Sequence, residues 1–257
     1  MMILFNRKSI LTIGDSQYNS DTLDFDFTVP FSTSSENDVS EVAVYNLSPT
    51  SVKKIKKGTD VSLSAGYGDD TGMILNGEVV SYRTVSENAD KKTVLKVSSK
   101  IHALREKNIN RTYAAGITSK DILTDLSFEI SAAIGEINPV KNVTYKKGKT
   151  ISGRVYDIIK NIAEETESKF YIDKNRIYIR EKNTATVTGF LLSGETGLIS
   201  SPEEKENGFN VRCLLNHNIF PDSMIIIKSK TVNGNFRVIK GRHTSDYITE
   251  MEVCPCL

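Results

Sequence analysis

Residues 23–29 read Leu-Asp-Phe-Asp-Phe-Thr-Val, so that Leu23, Phe25, Phe27 and Val29 alternate with Asp24, Asp26 and Thr28. A period of two puts the apolar groups on one face and the polar groups on the other, the pattern of a strand that buries one side of a sheet. The same pattern recurs along the first hundred residues. Stretches 41–45, 60–67, 73–85 and 93–99 read as strands, with Gly/Asp and Asn/Asp turns between them. One interruption is expected. Ser48-Pro49-Thr50 opens a short helix, predicted to run to Lys57 and to stop at Gly58. The spacing suits a small barrel or sandwich.

The middle of the chain changes period. Thr118-Ser-Lys-Asp121 reads as a capping box in its Asp variant, ahead of Ile122, Leu123, Leu126 and Ile130 at helical spacing. A second helix is expected after Gly153, with Val155, Ile158, Ile159, Ile162 and Ala163 on one side. Phe170 to Ile179 then reads as two short strands around an Asp173-Lys-Asn175 turn. The tail returns to alternation: Phe209, Val211, Cys213 and Leu215, then strands at 224–227, 236–239 and 247–253, separated by Pro221-Asp222, Asn233-Gly234 and Thr244-Ser-Asp246. The expected fold is mainly β with an α+β insertion: two small antiparallel β-barrel units flank a helix-plus-hairpin domain. The expected boundaries are 1–105, 106–190 and 191–257, the last segment completing or mirroring the first barrel.

Chemistry is sought next. Thirty-three basic and 32 acidic residues leave a net charge of +1, whereas a protein gripping phosphates carries a clear basic excess. Specific nucleic-acid binding is not expected. No apolar run near the start is long enough for a secretory signal, and the apolar stretch at 224–227 is too short to span a bilayer. Direct membrane insertion is therefore not expected. Three cysteines, an odd number, fit a chain made in a reducing cytoplasm.

Gly148-Lys149-Thr150 imitates the end of a phosphate-binding loop, but the position that needs a second glycine is Val143. Gly66-Tyr-Gly68 with Gly72 misses the dinucleotide spacing. Ser51-Val-Lys-Lys54 has the form of a serine acyl-enzyme motif without its companion elements. Cys213, His217, Cys254 and Cys256 supply zinc-ligand chemistry, yet Cys213 shares a strand face with apolar neighbours and Cys-x-Cys lacks the usual spacer. His102 and His243 have no acid–nucleophile pattern beside them. The carboxylates at Asp24/Asp26, Asp69/Asp70 and Glu203-Glu-Lys-Glu206 read as solvated groups, and Lys53 to Lys57 as the wet side of a short helix. No catalytic, cofactor or metal residue is assigned, and the chain is not expected to be an enzyme.

The succession of elements carries a resemblance. Val42-Ala-Val-Tyr-Asn-Leu-Ser48, a short helix, Ile55-x2-Gly58-x2-Val61-x-Leu63-x-Ala65-Gly66-Tyr67 and Gly72-x-Ile74-x2-Gly77-x-Val79 resemble the first β domain of phage tail baseplate hub proteins, a family also found in contractile injection systems. Gly116-Ile-Thr118, Ile151-Ser-Gly153 and Asn175-Arg-Ile-Tyr-Ile179 are similar to its middle block. Thr196-Gly-Leu198 through Asn207-Gly208, Leu214-Leu-Asn216 and Val232 to Val238 ahead of Thr244-Ser-Asp246 resemble its closing β domain. Tyr247 stands where such hubs often carry Trp.

The resemblance implies a homotrimer whose two β domains per chain mimic six tail-tube subunits. It would join the six-fold tube to the three-fold spike in the virion tail baseplate and surround the channel used for DNA ejection. The implied partners are the tail tube protein, the central spike protein, other baseplate proteins and, as a further candidate, the tape measure protein. Because the chain ends at Leu257, no fused spike or lysozyme is expected. The Asp24/Asp26 face either lines such a channel or simply meets solvent. A tail-tube or distal-tail adaptor is the alternative, and a tail-associated cell-wall hydrolase a more distant one.

Overall fold

The alternation read at 23–29 becomes pairing. The computed structural model describes residues 5–34, 39–87, 89–99, 107–130 and 133–256. Its first strands are β1 (Arg7–Ile13), β2 (Ser16–Asn19), β3 (Phe25–Ser32) and β4 (Ser40–Tyr45), followed by helix α1 (Pro49–Lys54) and by β5 (Asp60–Tyr67), β6 (Asp70–Glu87) and β7 (Asp90–Ser98). The middle holds β8 (Asn108–Tyr113), α2 (Ser119–Glu129), β9 (Ala133–Ile137), β10 (Lys149–Arg154), α3 (Val155–Glu165), β11 (Ser168–Asp173) and β12 (Arg176–Glu181). The tail adds β13 (Thr186–Ser193), β14 (Glu203–Lys205), β15 (Gly208–Leu214), β16 (Ser223–Lys228), β17 (Asn233–Thr244) and β18 (Ile248–Pro255).

Two units divide these elements. One comprises the described residues of Met1–Ser32, Asp38–Ser98 and Ala185–Leu257; the other comprises those of Thr33–Asn37 and Ser99–Thr184. The expected 105/106 boundary lies outside the described residues.

The first unit is a single 13-stranded sheet in the order β14-β15-β18-β17-β3-β4-β7-β6-β5-β1-β2, with β16 on β17 and β13 parallel to β16. Its mainly-β character is as expected, but two closed barrels are not what forms. The pairing path is open at both ends among the described residues, and β17 against β3 joins the two halves into one sheet. The physical reason is the length of β17. Its first residues pair with β16, the register shifts between Val238 and Lys240, and residues 240–244 then reach β3. A bulge of this kind bends a strand and lets it serve two neighbours.

Each half buries its own core against one face. In the first, Leu11, Leu63, Val42, Val44, Leu95 and Val97 are fully buried, with Phe27 and Val29 beside them. In the second, Val211, Cys213, Ile225, Ile227, Val238 and Met251 play that part, with Phe31 contributed by β3. Each large aliphatic side chain so placed contributes roughly 1.5–3 kcal/mol relative to exposure.

Helix α1 is shorter than expected. Ser48 caps it by accepting a hydrogen bond from the Ser51 N–H at 3.1 Å, but it ends at Lys54 because Ile55 turns extended and inserts its side chain into the core. Asn233-Gly234 does not form a turn either. Both residues pair with β16, and the turn lies earlier, where the Ser229 N–H donates to the Val232 carbonyl. Strands β1, β2, β13 and β14 were not anticipated, the last falling where the glutamates of 203–206 read as solvated groups, nor were β8, β9 and β10 of the middle block.

The second unit packs α2 and α3 with a β11-β12-β9 sheet and a β10-β8 pair. The expected capping box is present: the Thr118 hydroxyl accepts from the Asp121 N–H and the Asp121 carboxylate from the Thr118 N–H. All five apolar positions anticipated on α3 are buried. The β11–β12 turn places Lys174 and Asn175 at φ 47° and 63°, the two left-handed residues that match the twist of a tight hairpin.

Candidate functional site

The sheet of the first unit has a second face, away from its cores, and it is charged. Directly opposed residues in a sheet share a face, so the registers place Arg212 of β15, Glu250 of β18, Arg242 of β17 and Pro30 of β3 in one row. The next row holds Asn210, Glu252, Lys240 and Ser32. Acids occupy the central strand and bases flank it. Glu250 accepts from Arg242 Nε at 2.7 Å and Nη2 at 2.6 Å, and its other oxygen lies 3.2 Å from Arg212 Nε. Glu252 is shared by Lys240, at 3.2 Å, and Lys205. Partial burial opposes ionisation of Glu252, yet the hydrogen bonds from these two ammonium groups hold its carboxyl below the usual range. The rows border a shallow concavity of about 540 Å³.

Across β3 the same face continues. Asp26 and Thr28 point there, opposite Ala43 and Glu41 of β4, and Glu41 opposes Lys96 of β7. Asp26 accepts the Tyr45 hydroxyl at 2.8 Å, and the Lys92 ammonium stands 5.1 Å above the Tyr45 ring and 3.8 Å from Glu87. Asp24 and Asp26 are both exposed, and the Asp24 carbonyl accepts the Tyr45 N–H. Both candidates from the sequence therefore edge this face, while Arg212, Lys240, Arg242, Glu250 and Glu252 were missed. A signal existed in Lys240-x-Arg242 and Glu250-x-Glu252, two period-two charge pairs of opposite sign on consecutive strands.

Exposed ion pairs contribute at most about 1 kcal/mol each. Their effect is on surface character: a polar, hydrated face whose charges are neutralised in place.

The sequence motifs with enzymatic overtones are not brought together. Cys213 is buried in the core and burial pushes its thiol up to about 12, with the Thr249 hydrogen bond opposing. His217 packs instead beside Asp70, 3.7 Å away, and over Gly72, where an added Cβ would lie 2.0 Å from its ring. His243 is buried in the sheet, its Nδ1 2.9 Å from the Thr249 hydroxyl. Lys149 is held by Glu165 at 2.9 Å and lies over the Tyr145 ring. His102 lies outside the described residues. Among the described residues, no three His, Cys, Asp or Glu side chains are placed to hold a metal ion, and no helix is long and apolar enough to cross a membrane.

Comparison with known proteins places this fold. The tail protein from Neisseria meningitidis MC58 superposes with a TM-score of 0.66 at 8% identity, covering 97% of each chain. The 43 kDa tail protein of prophage MuSo2 from Shewanella oneidensis gives 0.69 at 7% identity, with 98% of each chain covered. The E. coli c3393 protein, a component of the type VI secretion system, gives 0.60 at 10% identity over 95% of this chain and 76% of its own. No curated protein matches the sequence. The family model described as baseplate hub gp41 matches residues 33–243. With that match spanning most of its length, this chain belongs to the baseplate hub gp41 family.

Proposed function

We propose that the chain is the structural hub itself: a homotrimer in the tail baseplate that joins the six-fold tail tube to the three-fold spike and surrounds the central channel. Its partners are then the tail tube, central spike, other baseplate proteins and the tape measure protein, and it has no catalytic activity. The observation that carries this reading is a repeat within the first unit. Strands β3-β4-β7-β6 and β14-β15-β18-β17 run in the same chain order, and a β5 or β16 partner attaches to the long strand of each. Three chains would present six such modules, the number a six-fold tube requires.

The charged face fits the channel side. A conduit for a polyanion gains nothing from a basic wall, since each released counterion would add affinity and slow passage. Charges compensated in place avoid this.

The test is the mass of the purified protein by light scattering or native mass spectrometry, followed by negative-stain averages. A three-chain mass with a central opening and a pseudo-six-fold outline is expected. A single-chain mass that stays unchanged when the spike protein is added would sink the proposal.

A further inference from the structure

The lysines at 53–57 read from sequence as the wet side of a helix, but the structure gathers them around a pocket of about 450 Å³. Its two walls are the turn between β1 and β2 and the segment that runs from α1 into β5. Ile13 and Ile55 form the floor, and both belong to the N-terminal core. Ile55 is extended, at φ −75° and ψ 125°, and turns its side chain inward. Neighbouring side chains in extended backbone point opposite ways, so Lys54 and Lys56 are thrown outward on either side of it. Lys53 joins them from the last turn of α1, and all three line the pocket. Asp15 is the single carboxylate in the lining among the described residues.

Backbone bonds hold this frame. The Gly14 N–H donates to the Asp60 carbonyl at 2.8 Å and fastens one wall to the other. The Gly58 N–H donates to the Val79 carbonyl at 2.8 Å, and the Val79 N–H to the Thr59 carbonyl at 2.9 Å. The polar groups inside are set as donors. The Thr59 hydroxyl accepts the Lys56 N–H, and the Ser51 hydroxyl accepts from the Ser48 hydroxyl, both at 3.0 Å. Each keeps its own O–H to give away, and an ammonium group can only donate. Such a pocket lacks an acceptor.

Basic side chains in a last turn also complement the helix dipole, which accounts for Lys53 and Lys54. It does not account for Lys56 and Lys57, which lie beyond the helix. Among the described residues none of these four lysines has an ion pair, whereas Lys92, Lys141 and Lys149 each have a glutamate. Four like charges within five positions repel one another, and an anion between them relieves the repulsion.

We infer that this pocket receives an acidic segment of another baseplate protein. The class of partner rests on the hub reading and follows from position. The pocket opens at the rim of the N-terminal core, on the side of the sheet away from the charged face that fits the channel. A payload polyanion passes along the other side. Extent points the same way. Duplex DNA is gripped along a stripe of basic groups that tracks its phosphates, and here the lysines are confined to five consecutive positions.

The experiment adds a fluorescein-labelled hexaglutamate peptide to the purified full chain and follows polarisation at rising salt. Binding that weakens with salt is expected, and carbodiimide coupling should join the peptide to Lys53, Lys54 or Lys56, as mapped by mass spectrometry. Lys53→Glu/Lys56→Glu is expected to weaken binding about tenfold or more. Lys146→Glu/Lys147→Glu makes the same charge change on an exposed turn of the second unit and is expected to leave binding unchanged. Equal loss in both variants, coupling spread over lysines elsewhere, or displacement of the peptide by a DNA duplex of equal charge overturns the inference. In a three-chain particle any of these leaves the hub reading standing. A single-chain mass that the spike protein does not alter sinks the hub reading, and peptide coupled at these lysines then still upholds the pocket as a site for an acidic segment.

Discussion

Between β4 and β5 the N-terminal module inserts α1, and the residue after it, Ile55, closes the core with an apolar side chain that is 2% exposed. Between β15 and β16 the C-terminal module has no helix. There, residues 215–222 are fixed by polar groups: the Asn216 side-chain carbonyl accepts the Asn218 N–H at 2.8 Å, and Asp222, fully buried with φ 66°, accepts from Arg237 Nη1 at 2.9 Å. The Asp222 backbone is also tied, its N–H to the Val238 carbonyl and its carbonyl to the Thr186 N–H. Both sheets bury small polar groups, Ser40 and Thr93 in the N-terminal module and Thr249 in the C-terminal one, but His243 is buried only in the latter among the described residues. One strand order is thus closed in two ways. An apolar plug depends only on its own fit, whereas a buried ion pair holds only while both partners are present.

This contrast predicts unequal damage. Asp222→Ala leaves the Arg237 charge buried without its partner, and a loss of about 3–5 kcal/mol is expected. Urea unfolding followed by circular dichroism measures it, and Asp222→Leu combined with Arg237→Met is expected to recover most of the loss. Ile55→Ala, the matching lesion in the other module, opens a cavity and costs about 3 kcal/mol. It has no partner through which a second substitution could restore it. Equal losses for Asp222→Ala and for the Asp222→Leu/Arg237→Met pair would break the comparison.

A smaller effect is expected where the modules meet. Gly72→Ala drives a methyl into the His217 ring, an overpacking of about 2 kcal/mol. Adding His217→Ala removes the obstruction and is expected to return part of it. The smallest effect is on pH. The Cys213 thiol, ordinarily near 9.0, is raised to about 12 by burial. A raised thiol means that the fold keeps the proton. Its contribution is therefore complete below pH 9 and is lost as pH climbs toward 12. Cys213→Ala is expected to flatten the fall of stability across that window. In the native protein at pH 8, a thiol reagent should label Cys254 and Cys256 and spare Cys213.

What could be read from sequence was local. The Thr118–Asp121 box, the apolar side of α3 and the Lys174-Asn175 turn are written within a few consecutive residues, and the structure has each of them. What depends on partners was hidden. Asn233-Gly234 has the composition of a turn, but pairing with Ile227 and Lys228 outweighs that preference. Strand β1 was missed because Arg7 and Lys8 precede its apolar residues and only Ser9, Leu11 and Ile13 are buried. The charged face was illegible for a similar reason. Lys240-x-Arg242 and Glu250-x-Glu252 are close in sequence, but Arg212 and Pro30 lie far from them, and nothing but the ladder places all of these on one face.

The β3–β17 junction also has a consequence in time. Residues 28–32 leave the ribosome early, and their partners at 240–244 follow about 200 residues later. At roughly 5–20 residues per second of synthesis, the edge of β3 waits for roughly 10–40 seconds. Throughout that interval the nascent N-terminal module is a foldable body with one raw side, and any other strand at high local concentration competes for it.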